Sequence, residues 1–153
     1  MTVGLVIVSH SARLAEGVVE LAGQMAQGKV VIAPAGGTAE GGLGTSVDKI
    51  LQALRQAASP EGVLVLLDLG SAGLAAEMAL ELFKQDHDCP VMISSAPLVE
   101  GAVVAAVEAS IGSPLPAVAE AAMAATTLPK LPVAEGQATE ETAPDDKPAG
   151  DRT

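Results

Sequence analysis

Apolar positions along this chain follow two rhythms. Short unbroken runs rich in β-branched residues alternate with longer stretches where apolar residues recur every three or four positions. Val3 to Val8 is such a run, expected as a strand buried on both faces. Leu14, Val18, Leu21, Ala22 and Met25 then follow at helical spacing, with Gly28 expected as the C-cap. Val30 to Ala33 predicts a second short strand. "PAGGTAEGGLGTS" is too rich in glycine for regular structure. Thr45-x-x-Asp48 resembles a capping box and opens a helix that turns Ile50, Leu51 and Leu54 inward.

"GVLVLLDLGSAG" repeats the opening pattern. Val63 to Leu67 is a strand ended by Asp68, and Ser71 is expected to cap a helix running to about Lys84. Val91 to Ile93 predicts a fourth strand, followed by helices near 99–110 and 116–126. Strands that alternate with helices predict an α/β fold with a parallel sheet and right-handed crossovers. A helical bundle fits less well, because the apolar runs are short and β-branched. From Leu128 onward Pro129, Pro132, Pro144 and Pro148 alternate with acidic and small residues. Residues 133–153 hold six acids and two bases. Such a stretch cannot bury enough apolar surface to order itself, so 1–127 is expected as one domain and 128–153 as a disordered tail or linker.

Composition narrows what the domain can do. Among 153 residues the only aromatic is Phe83, and the net charge is -11. No Trp or Tyr is present to stack on a base, and the charge repels phosphate backbones. Nucleic-acid binding is therefore excluded, and an anionic membrane surface is disfavoured. No apolar run is long enough to span a bilayer. Cys89 is the single cysteine, so no internal disulfide forms, and a reducing cytoplasm is the expected setting. The N-terminus lacks a basic segment and does not read as a signal peptide.

Candidate chemistry lies where the strands end. Open parallel sheets bind ligands beyond the carboxyl ends of the strands, at the switch point in strand order. With the order 2-1-3-4, His10 after the first strand, Asp68 after the third and the glycine loop 36–44 meet on one rim. A neutral imidazole is a good phosphoryl acceptor, and a carboxylate on its other nitrogen fixes the tautomer. The first amides of the following helix favour an anion, while Ser9, Ser11 and Thr38 could add hydroxyls. Gly36 and Gly37 would let a backbone approach phosphate or a partner. The plainer readings are a hydrogen-bonded structural histidine, an Asp68 that caps a helix, and a loop that is only a long turn.

Other motifs fail. Gly37 and Gly42 have P-loop spacing, but Leu43 occupies the lysine position. G-x-G-x-x-G is absent. "LGSAG" lacks the first glycine of a nucleophile elbow around Ser71. His87, Asp86, Asp88 and Cys89 are adjacent on one turn and cannot all face one ion.

At "VGLVIVSHSARLAEGVVELAGQM", "APAGGTAEGGLGTS" and "LVLLDLGSA", residues 1–126 resemble the mannose-class enzyme IIA domain of the bacterial sugar phosphotransferase system. The glycine loop resembles more closely the phosphoryl-donor subunits of phosphotransferase-dependent dihydroxyacetone kinase. The resemblance implies a doubly wound, flavodoxin-like or Rossmann-like α/β domain that is normally a homodimer. It implies that His10 is phosphorylated and that Asp68 is the active-site aspartate. It further implies loading by the phosphocarrier HPr and discharge to ADP in a partner kinase subunit, which serves a third, substrate-binding subunit. No cofactor is implied in this chain. A sugar-transport enzyme IIA feeding a IIB domain is the alternative within the family. A non-enzymatic anion-binding regulatory module is the alternative outside it.

Overall fold

A computed structural model describes residues 1–132. The tail expected from residue 128 therefore lies, from residue 133 on, outside the described residues. Among the described residues four strands form one parallel sheet: β1 (Gly4–Ser9), β2 (Ile32–Gly36), β3 (Val63–Leu67) and β4 (Val91–Ser94). Five α-helices among the same residues connect and follow them: α1 (Ala12–Met25), α2 (Val47–Ala57), α3 (Gly73–Lys84), α4 (Leu98–Ser110) and α5 (Leu115–Ala124). The strand order is β2-β1-β3-β4, which places the switch point between β1 and β3.

Strand alternation divides the core into two layers. Leu5, Ile7, Leu64 and Leu66 pack beneath α1, α4 and α5, with Ala15, Ala22, Ala102 and Ala106. Val6, Val8, Val63 and Val65 face the opposite way and pack beneath α2 and α3, with Ile50, Leu54 and Phe83. Small alanines let the helices approach the sheet, and Phe83 is the one bulky ring in this interior.

Several local expectations are corrected. Ser46, one residue after Thr45, caps α2 and accepts from Lys49 N–H at 3.2 Å. β2 runs on through Pro34 to Gly36, past the expected end at Ala33. Pro34 is tolerated because β2 is an edge strand, where a missing N–H need not cost a ladder bond. α1 ends at Met25, with Ala26 as its C-cap. Gln27 then takes the left-handed position (φ 58°) and Gly28 donates to Gly23 O at 3.0 Å. Gly28 thus closes a Schellman turn two residues beyond the cap.

The candidate active site at the carboxyl edge

The register between β1 and β3 builds this site. Val8 lies level with Leu67, and Asp68 N–H donates to Val8 O at 3.0 Å. The ladder thus continues one residue past β3 and brings Asp68 beside Ser9 and His10. The Asp68 carboxylate accepts from His10 N–H at 2.8 Å, Ser9 Oγ at 3.0 Å and Leu69 N–H at 2.7 Å. His10 Nδ1 lies 3.0 Å from Asp68 Oδ1.

Partial burial alone would push the Asp68 carboxyl upward. The hydrogen bonds from the His10 backbone and ring, Ser9 and Leu69 outweigh it and hold the group below its ordinary value. Asp68 is consequently an ionised acceptor near neutral pH. A neutral ring facing that acceptor through Nδ1 carries its proton there, so Nε2 keeps the lone pair. The His10 side chain is 29% exposed and that of Asp68 only 10%. The carboxylate sits beneath the ring, and the ring faces solvent.

Each remaining residue has a definite place. Ser9 is fully buried and bridges: its Oγ donates to Asp68 and accepts from Ser11 N–H at 3.0 Å. Ser11 caps α1, with Oγ accepting from Leu14 N–H at 3.2 Å. These bonds occupy the N–H of the cap residue Ser11 and one first-turn α1 amide, that of Leu14, which was expected to face an anion. Gly36 is required by close approach, since a Cβ there would fall 2.5 Å from Ser11 O. Gly37 takes a φ of 79° and donates to Ser9 O at 3.2 Å. Thr38 folds the glycine loop on itself: its Oγ1 accepts from Gly42 N–H at 3.0 Å. Gly44 N–H then ties the loop to His10 O at 2.8 Å. All three segments meet as expected, but Ser11 and Thr38 use their hydroxyls locally.

Sequence reasoning missed Ser71. It caps nothing: α3 begins after Ala72 with no side-chain cap, and Ser71 lies in the short 3-10 turn Gly70–Ala72. Its Oγ instead reaches His10 Nε2 at 3.1 Å. The only signal was its strand-to-helix turn, three residues beyond Asp68. Far from this rim, the His87 ring stacks on Phe83 at 4.2 Å, and its Nδ1 faces Asp86 at 2.7 Å. Among the described residues, no cluster of three or more His, Cys, Asp or Glu could hold a metal. No described helix is long and apolar enough to cross a membrane.

A cleft of about 280 Å³ opens beside Asp68, lined by Leu69, Gly70, Ser94, Ser95 and Pro97. It is smaller than the ~300–1,000 Å³ usual for small-molecule sites. The site thus consists of a half-exposed imidazole held by a more deeply set, partly buried carboxylate at the switch point of a doubly wound sheet. Residues 4–127 match the family model described as PTS system fructose IIA component, and the chain belongs to that family.

Particular relatives are more specific. The phosphoryl donor subunit DhaM of PEP-dependent dihydroxyacetone kinase from Escherichia coli (strain K12) is 45% identical over 114 residues. That match covers 72% of this chain and 24% of the relative, so the chain spans about a quarter of that protein's length. The phosphoryl donor subunit DhaM of dihydroxyacetone kinase 2 from Listeria innocua serovar 6a is 38% identical over 109 residues. Here the match covers 71% of this chain and 87% of the relative. A crystal structure of EF1359, a protein of unknown function, is 34% identical with a TM-score of 0.69. It covers 81% of this chain and 95% of that one.

Proposed function

We propose that this chain is the phosphoryl-carrier subunit of a phosphotransferase-dependent dihydroxyacetone kinase. Residues 1–127 form its IIA domain. His10 accepts a phosphoryl group from phosphorylated HPr, in a chain that begins at phosphoenolpyruvate and enzyme I. It then passes that group to ADP held in a partner kinase subunit. The resulting ATP phosphorylates dihydroxyacetone on a third, substrate-binding subunit.

One observation carries this reading: the His10 ring, pinned through Nδ1 by Asp68, presents Nε2 at the surface. In the forward step the Nε2 lone pair attacks phosphorus. The N–P bond forms, and the donor nitrogen leaves with the electron pair of its own bond to phosphorus. The positive charge that develops on the ring lies against the ionised Asp68 carboxylate. Discharge reverses these roles, with a β-phosphate oxygen of ADP as the attacking atom. The relatives' description as phosphoryl donor subunits supports ADP as acceptor over a sugar-transport IIB domain. Exposed Leu43, Leu69 and Leu74 stand on the loop, the β3 end and the start of α3, and offer apolar surface to a protein partner.

The test is reconstitution. Incubation with phosphoenolpyruvate, enzyme I and HPr should add an acid-labile phosphate that is lost in His10→Ala. The ADP-bearing kinase subunit should then discharge it. Phosphate that survives His10→Ala, or discharge only to a IIB domain, would refute the reading.

A further inference from the structure

Two lines of geometry converge on Ser71. Its hydroxyl is the one side-chain group within hydrogen-bond reach of His10 Nε2 among the described residues, at 3.1 Å. In the neutral ring, the form that can attack phosphorus, the proton on Nδ1 faces the ionised Asp68 and Nε2 is left as an acceptor, so Ser71 donates. The side chain is exposed, caps no helix and has no other hydrogen-bond partner among the described residues. Of the other hydroxyls near the ring, Ser9 donates to Asp68, while Ser11 and Thr38 accept from Leu14 and Gly42 N–H and make no hydrogen bond to Nε2.

We propose that Ser71 is a catalytic residue of this site, whose hydroxyl moves from His10 Nε2 to an oxygen of the phosphoryl group during transfer. The proposal rests on the phosphohistidine reading and adds a residue to it. Before transfer, the Ser71 proton lies on the lone pair that must attack. As the N–P bond forms and the donor's bond to phosphorus breaks, that lone pair is consumed. The hydroxyl then loses its acceptor at the moment negatively charged oxygens arrive beside it. A rotation about χ1 redirects its proton to one of them. No proton leaves Ser71 and no bond to it forms. Its contribution is a hydrogen bond that strengthens as the phosphoryl group becomes seated, which lowers the barrier in both directions.

A small-molecule phosphoryl donor tests this without any partner. Phosphoramidate should phosphorylate His10 of the full chain, followed by intact mass and by acid lability. Ser71→Ala should slow formation of phosphohistidine by about 10- to 100-fold, below the ~10²–10³ of an enclosed oxyanion donor because this site is wet. Ser71→Thr keeps the hydroxyl and should recover most of the rate. Circular dichroism and melting should match for all three proteins, since Ser71 is exposed. A Ser71→Ala rate within twofold of the unmodified chain would overturn the proposal. So would a Ser71→Thr protein as slow as Ser71→Ala. If the unmodified chain gains no His10-dependent phosphate, the phosphohistidine reading itself fails, which is a separate and distinguishable result.

Discussion

Asp68 holds His10 twice, through the ring Nδ1 at 3.0 Å and through the backbone N–H at 2.8 Å. The ring contact fixes which nitrogen carries the proton. The backbone contact fixes where the ring is rooted. One carboxylate therefore sets both the tautomer and the position of the group that faces solvent.

Replacing Asp68 with Asn separates shape from charge. The amide is nearly isosteric but cannot accept from every donor that surrounds it. In the proposed reaction, phosphorylation of His10 should slow by up to about 10⁴-fold, the loss seen when the carboxylate of a Ser-His-Asp triad is replaced by an amide. Stability should fall by about 1–3 kcal/mol from unsatisfied polar groups. Stopped-time phosphorylation assays and urea titrations read the two effects.

Stability should depend on pH through the same residue. The folded Asp68 carboxyl lies below its ordinary value, while the unfolded group titrates near ~3.9. A lowered folded value means that its contribution is complete above the unfolded value. It is lost as pH falls through the folded one. The stability gap between the unmodified chain and Asp68→Asn should be flat from pH 7 to 5 and shrink below about pH 4. A gap unchanged down to pH 2.5 would contradict this.

Two glycines should respond to alanine in opposite directions. At Gly36 a Cβ would fall 2.5 Å from Ser11 O and 2.8 Å from Ala12 Cα. Both are backbone atoms, so β2 or α1 must shift, at about 1–3 kcal/mol. At Gly17, inside α1, a Cβ meets nothing within 4 Å. Gly17→Ala should stabilise by about 0.5–1 kcal/mol. Denaturant midpoints of the two variants should move to opposite sides of the unmodified chain.

Phe83 should be the costliest single truncation in the core. It is fully buried against the valine layer of the sheet and stacks on His87. Phe83→Ala should cost about 3–5 kcal/mol, since surrounding alanines and valines cannot fill the space. Thermal melting checks it, and a loss below 1 kcal/mol would show that the layer collapses around the gap.

Much of this architecture was legible in the chain. Unbroken β-branched runs announced buried strands, and three- and four-residue spacing announced the helices between them. Their alternation was enough for a parallel sheet. Boundaries were less legible: β2 runs through Pro34 because it is an edge strand, and edge position is a property of strand order. Asp68 and His10 could each be singled out as a group at a strand end. Ser71 is set aside, because a serine on a strand-to-helix turn reads as a cap or a failed nucleophile elbow unless the position of the imidazole is known.

The sequence by itself determined the periodicities, the two-sided aliphatic core and the one imidazole at a strand-to-helix corner. These are local properties, written in neighbouring residues. Only the tertiary structure decided which hydroxyl faces Nε2. It also revealed that Ser9 is buried beneath Asp68 and that the glycine loop is tied to the His10 carbonyl. Those contacts join residues about 34 to 61 positions apart. They exist because the parallel register sets Asp68 level with Ser9, and no local pattern encodes the pairing of two strands.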